Sequence, residues 1–224
     1  MKLPDEIKAV LDGESEGCIV QGDCLEVMAT MPDGCVDAVV TDPPYGMEFV
    51  SNFRKQPHDA IRGDCDTVLA KMSCEIPANH SRYVFARWDT LYYLPKPKSI
   101  VTWVKNNWSM GDLCHEHARQ TELILFFPGD GHRWPSNRPT DVVRCARTQN
   151  DLHPTQKPVD LMESIVSWTD GIVFDPFCGS GTTCVAAKKL GRRYIGIELS
   201  EKYCRIARNR VQNTERPLFT GGGE

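Results

Sequence analysis

Residues 172–198 constrain the fold more than any other stretch. An apolar run, Ile172-Val173-Phe174, leads into Asp175-Pro176-Phe177-Cys178-Gly179-Ser180-Gly181, a glycine-rich turn. A helical segment over 182–190 follows and stops at Gly191, and a second apolar run over 194–197 ends at Glu198. Two buried strands joined by a helix require a parallel pairing with a right-handed crossover. The flanks extend the pattern. Pro158 suits the first turn of a helix, and Val159, Met162, Ile165 and Trp168 follow at spacings of three and four. Ser200 is placed to cap a last helix with Tyr203, Ile206, Ala207 and Val211 inward. The expected fold class is α/β: one Rossmann-like domain over 1–224, with a mostly parallel sheet covered by helices on both faces. The chain has 224 residues, 41% of them hydrophobic, which suffices for one core.

The first half carries a similar arrangement. Residues 18–21 form a short apolar run that ends at Gly22-Asp23, and residues 25–31 have helical spacing. Residues 36–41 read as a buried strand ended by Asp42-Pro43-Pro44-Tyr45, because two consecutive prolines forbid further pairing. Acidic residues thus stand at several strand carboxyl ends, where open α/β sheets bind ligands. Residues 83–85, 100–104 and 123–127 are further strand candidates; 67–73 and 89–94 are helix candidates. The stretches 46–81 and 128–152 read largely as loop insertions, and 214–224 as a frayed tail.

Composition excludes some classes. No apolar run approaches the roughly 18–20 residues of a membrane span. Lys2, Asp5, Glu6 and Lys8 leave no apolar signal core at the start, so a cytoplasmic protein is expected, in a bacterial or phage-infected cell. Ten cysteines form no Cys-x-x-Cys pair and read as reduced, small apolar side chains. Cys114, His115 and His117 lack a second ligand pair, so no metal is expected. A net charge of −4 argues against an overall basic coat. Local patches differ: eight Lys/Arg fall over 188–210, and Arg133, Arg138, Arg144 and Arg147 lie in one Pro-rich segment with Trp134. Arg133, Trp134, Arg138 and Arg144 are candidate nucleic-acid contacts.

Three constellations carry chemistry. The loop Phe177-Cys178-Gly179-Ser180-Gly181 sits between strand and helix, and Glu198 ends the next strand, placed to accept from ribose hydroxyls. A third glycine and a Walker lysine are both missing, so a phosphate-free nucleoside such as S-adenosylmethionine fits better than a dinucleotide. Asp42-Pro43-Pro44-Tyr45 offers two acceptors, the Asp42 carboxylate and the Pro43 carbonyl, to the two N–H bonds of an exocyclic base amine. Tyr45 is placed to stack on a flipped base. His153-Pro154-Thr155-Gln156-Lys157-Pro158 opens a helix, where Lys157 and backbone N–H groups suit a carboxylate.

Together these segments resemble the DNA amino-methyltransferases that make N6-methyladenine or N4-methylcytosine. The order, with the tetrapeptide before the glycine loop, resembles the permuted β-group. The resemblance implies the S-adenosylmethionine-dependent methyltransferase fold, S-adenosylmethionine as cofactor and DNA as partner. It implies that Asp42, Pro43, Pro44 and Tyr45 are catalytic. Asp23, with Cys24, would meet the cofactor's adenine, and Glu198, with Leu199, its ribose. Asp175, Phe177, Gly179, Ser180, Gly181, Thr182 and Thr183 would line its pocket. His153, Thr155, Gln156 and Lys157 would hold its carboxylate end, and Asp42 its amino group. Asp at the tetrapeptide's first position resembles the adenine-modifying members. N4-cytosine modification, RNA modification and an inactive DNA-binding relative remain alternatives. The stretch 128–152 is short for a recognition segment, so a short target site or loose specificity is expected. A homodimer and a place in restriction–modification are expected from the family alone.

Overall fold

Alternation of apolar side chains across two faces of one sheet organises the structure. In the computed structural model, residues 2–44, 67–108, 114–115, 117–135, 137–147 and 156–216 are described. Helices are α1 (Asp5–Leu11), α2 (Cys24–Met28), α3 (Val68–Glu75), α4 (Val159–Ser167), α5 (Thr182–Lys189) and α6 (Glu201–Gln212). Strands are β1 (Gly17–Gln21), β2 (Ala38–Thr41), β3 (Ser81–Ala86), β4 (Ser99–Val104), β5 (Thr121–Pro128), β6 (Val142–Arg144), β7 (Ile172–Asp175) and β8 (Arg193–Glu198). They form one eight-stranded sheet in the order β1-β8-β7-β2-β3-β5-β4-β6. Every pairing is parallel except the two made by β5.

Successive residues of a strand point to opposite faces. Val40, Val173 and Tyr194 pack with α4, α5 and α6 side chains such as Leu161, Ala186 and Ala207. Val39, Phe174 and Ile195 pack on the other face with Ile7 and Val10 of α1 and Val27 of α2. Val84 and Leu125 pack there with Ala70 and Cys74 of α3. The expected two-faced α/β architecture is therefore the observed one.

Chain direction explains where a crevice opens. From β7 the chain crosses by α5 to β8, on one side; from β2 it crosses by α3 to β3, on the other. Their helices lie on opposite faces, so among the described residues no helix covers the carboxyl ends of β2 and β7 where they meet. This is the topological switch point at which such sheets bind ligands.

Several expectations change. The stretch 128–152, read as a loop, contains β6, whose Val143 pairs with Trp103 of β4. The segment 89–94 is a short 3-10 turn at Leu91–Tyr93 rather than an α-helix, ending ahead of Pro95. Helix α3 and the start of β3 occupy part of 46–81, of which 46–66 lie outside the described residues. Ser200 takes the N-cap position of α6 without a side-chain cap bond, and its N–H instead donates to Glu198. On α6 the buried residues are Cys204, Ala207 and Val211, with Tyr203 and Ile206 half-buried. Helix α1 has no counterpart among the sequence expectations.

Candidate active site

The site is built on the ends of β2 and β7. Asp175, only 3% exposed, ends β7 and is fully engaged: Thr41 Oγ1 donates to it at 2.7 Å, Thr183 Oγ1 at 2.6 Å and the Phe177 N–H at 3.1 Å. These bonds tie β2, β7 and α5 together directly behind Asp42. Burial pushes the Asp175 carboxyl up to about 6, against the three hydrogen bonds. Its contribution is therefore to hold the loop in shape.

The glycine loop bends where only glycine is comfortable. Gly181 has φ +80, and a Cβ there would lie 2.8 Å from Ala207 Cβ on α6. Arg210, also on α6, clamps the loop from behind, donating to the Ser180 carbonyl at 2.6 Å, to Ser180 Oγ at 3.0 Å and to Thr182 Oγ1 at 3.2 Å. In front, Glu198 accepts from the Gly179 N–H at 3.0 Å and the Ser200 N–H at 2.7 Å. Burial pushes the Glu198 carboxyl up, and the N–H groups of Ser200, Gly179 and Leu199 oppose it. One strand further, Asp23 caps α2, accepting from Leu25 and Glu26 N–H. The Gly22 N–H donates to the Glu198 carbonyl at 3.0 Å, so Asp23 and Glu198 stand on adjacent strand ends.

At the other side of the crevice four charges alternate. The Lys157 ammonium, just ahead of α4, donates to Asp42. It also lies 3.4 Å from Glu122 Oε2, while Lys105 Nζ lies 2.7 Å from Glu122 Oε1. Aromatic rings back both ammonium groups, Phe85 at 4.9 Å from Lys157 Nζ and Trp103 at 5.2 Å from Lys105 Nζ. Burial alone would lower Lys157, but Asp42 and Glu122 outweigh it and hold the lysine above its ordinary range. Burial alone would raise Glu122, but Lys157 and Lys105 outweigh it and hold the carboxyl below its ordinary range. The arrangement presents an anionic acceptor, Asp42, beside an anchored acidic group and a glycine loop. That is equipment for gripping a nucleoside and an amine together.

The structure gathers Asp23, Cys24, Asp42, Pro43, Pro44, Gln156, Lys157, Asp175, Phe177, Gly179, Ser180, Gly181, Thr182, Thr183, Glu198 and Leu199 onto or beside the carboxyl ends of the strands. Within that set Cys24, Pro43, Asp175, Ser180, Gly181, Thr182 and Thr183 are buried, and Asp23 and Leu199 are exposed. Tyr45, His153 and Thr155 lie outside the described residues. The four candidate nucleic-acid contacts do not form one group. Trp134 stacks on Phe126 at 5.6 Å and meets His132 edge-on at 4.4 Å. Phe126 pairs with Tyr83 and Ser99, and Gly129 and Gly131 bond to His80 and Asn79 just before β3. Trp134 and its neighbour Arg133 therefore sit toward the opposite, amino-terminal edge of the parallel strands, with the Trp134 ring already used in packing. Arg138 is exposed; exposed Arg144 ends β6 beside Val104, at the edge that carries Asp42.

Sequence reasoning missed Glu122, Lys105, Thr41 and Arg210. A charged residue just inside or just past an apolar strand, as in Thr121-Glu122-Leu123 and Trp103-Val104-Lys105, was the available signal. Also missed were Trp88 and Trp108, 57% and 64% exposed, which follow the carboxyl ends of β3 and β4.

Known proteins match this chain at both levels. The DNA methylase family profile matches residues 71–209. The protein YubD of Escherichia coli (strain K12) is 32% identical over 220 residues, covering 90% of this chain and 93% of YubD. The Type II methyltransferase M2.DpnII of Streptococcus pneumoniae is 26% identical over 238 residues, covering 87% and 89%. The crystal structure of the M1.HpyAVI–SAM complex superposes with a TM-score of 0.66 at 28% identity, covering 87% of this chain and 99% of that one. The chain belongs to the DNA methylase family, the amino-methyltransferases of adenine N6 and cytosine N4.

Proposed function

We propose that the chain transfers the methyl group of S-adenosylmethionine to N6 of adenine in DNA, with Asp42 at the reacting centre. One observation carries the reading: Asp42 ends a strand at the switch point, charge-paired by Lys157, across from the glycine loop and Glu198. The donor set suits this cofactor. Glu198 offers acceptor oxygens for a sugar diol, Asp42 and Lys157 complement an amino acid's ammonium and carboxylate, and the loop sequence lacks a Walker lysine for a pyrophosphate. A match to the M1.HpyAVI–SAM complex supports the same choice. When bound, S-adenosylmethionine supplies an electrophilic sulfonium methyl.

The chain's own residues do the rest. The amine of adenine is a weak nucleophile because its lone pair is delocalised into the ring. Asp42 carboxylate and Pro43 carbonyl accept its two N–H bonds and localise the lone pair on nitrogen. Lys157 keeps Asp42 anionic in a partly buried site. Positioning and fixed charge supply most of the rate, since the methyl donor is already activated. The methylated nitrogen is acidic and passes its proton to Asp42 or water. Trp88 and Trp108, exposed beside this edge, offer stacking faces to bases, and Arg144 offers a phosphate contact.

Incubation with radiolabelled S-adenosylmethionine and duplex DNA, followed by nucleoside chromatography, tests the reading. Label in N6-methyldeoxyadenosine is expected; label in N4-methyldeoxycytidine sinks the adenine assignment, and label only in RNA or protein sinks the reading altogether. Methylation mapping is expected to return a short or loosely defined site. A modification role like that of Type II methyltransferases follows from the relatives that carry that name.

A further inference from the structure

We infer that Glu122 and Lys105 are positioning residues that set how strongly Lys157 holds Asp42. The inference rests on the reading of Asp42 as the reacting acceptor. Three strands and the lead into α4 supply the four groups: Asp42 from the end of β2, Glu122 from β5, Lys105 from just past β4, and Lys157. Asp175 of β7 faces Asp42 from behind. The alternating order Asp42, Lys157, Glu122, Lys105 makes the two carboxylates competitors for one ammonium. Lys105 then decides the competition, because it satisfies Glu122 at 2.7 Å and leaves the 3.4 Å contact with Lys157 the weaker one.

The backbone under this chain of charges is rigid. The Lys105 N–H donates to the Gln120 carbonyl at 2.9 Å, and Gln120 Nε2 donates back to the Lys105 carbonyl at 2.8 Å. Register pairs Trp103 with Glu122 across β4 and β5. A stability role does not account for the arrangement. Lys105 is only 7% exposed, and replacing buried ion pairs by apolar residues is often neutral or stabilising. Charges that end on the reacting carboxylate have a use that apolar residues lack. A lysine devoted wholly to Asp42 would stabilise its anion and blunt it as an acceptor for the substrate amine. A lysine drawn wholly to Glu122 would leave Asp42 to gain a proton and cease accepting.

Two substitutions should therefore act in opposite directions. In Glu122→Gln, Lys157 turns to Asp42, and the pH at which Asp42 gains its proton moves down. In Lys105→Met, Glu122 draws Lys157 away, and that pH moves up. Each shift should be on the order of one pH unit, relayed to Asp42 through Lys157. Carbon-13 carboxyl NMR of the full chain without cofactor, with Asp42 assigned through Asp42→Asn, reads this directly. The acid limb of kcat/KM for DNA methylation should follow it. Lys105→Arg should return the titration toward that of the unaltered chain, and in a Lys157→Met background both shifts should shrink. Lys105→Gln replaces Lys105→Met if that variant does not fold. Shifts of the same sign, no shift, or full-sized shifts without Lys157 overturn the inference. A chain that methylates no DNA overturns the proposed function instead and leaves the NMR titration readable.

Discussion

Replacing Gly181 by Ala tests whether the glycine loop is shaped by α6. The residue has φ +80, and the added Cβ would meet Ala207 Cβ at 2.8 Å and Ala207 Cα at 3.1 Å. Left-handed backbone costs an L-residue roughly 1–2 kcal/mol. The contact falls on backbone and on a fully buried residue, so relief requires α6 to shift, an overpacking cost of about 1–3 kcal/mol. A loss of roughly 2–5 kcal/mol is expected, equivalent to a Tm lower by about 5–20 °C for a domain of this size. Urea unfolding followed by circular dichroism gives the first figure and calorimetry the second. The double variant Gly181→Ala/Ala207→Gly removes the Cβ–Cβ contact and leaves the strained φ, so the two changes should couple, with the pair costing less than their sum. Because Arg210 clamps the loop from the same helix, a shifted α6 should also weaken S-adenosylmethionine binding by isothermal titration. A stability loss under about 1 kcal/mol, or additive single effects, would refute the account of the loop as a surface moulded on α6.

Other perturbations probe separate parts of the site. Asp42→Ala should reduce methyl transfer by roughly 10³-fold or more while weakening cofactor affinity far less, measured by single-turnover assay beside titration calorimetry; retained turnover would remove Asp42 from the chemistry. Asp175 should give a recognisable pH signature: its carboxyl, raised to about 6 by burial, keeps its proton in the folded chain where the unfolded chain has lost it. Stability should therefore fall as pH rises from about 4 to about 6, by roughly 3 kcal/mol, and Asp175→Asn should flatten that slope in denaturant melts. Arg210→Met removes three hydrogen bonds from the loop and should cost about 2–3 kcal/mol of stability, together with weaker cofactor binding; unchanged binding would show that the clamp is dispensable to the pocket.

How much of this was legible beforehand depended on locality. Asp42, Asp175 and Glu198 could be placed because each ends an apolar run, and a chain entering a buried strand must deliver its next polar residue at the strand's end. The glycine loop was legible for the same reason: strand, bend and helix are adjacent in sequence. Helix α1 was not, since its seven residues bury only Ile7 and Val10, too few to show a period. Strand β6 has three residues, and a single buried Val143 makes no alternation. Trp134 among arginines looked like a nucleic-acid contact, yet its ring is stacked on Phe126, a fact decided by how the chain turns back after β5. Lys105 and Glu122 were hidden for a deeper reason. Their meeting needs the antiparallel register of β4 on β5, and their reach to Asp42 needs α4 to deliver Lys157 across the sheet. A one-residue slip of β5 would turn Glu122 to the other face, away from Lys157, without altering any local pattern. The proposed reacting acceptor is thus written in a tetrapeptide, whereas the charges inferred to govern it are set by strand pairing, so a substitution in β4 or β5 that disturbs register should alter the pH dependence of transfer before it alters the fold.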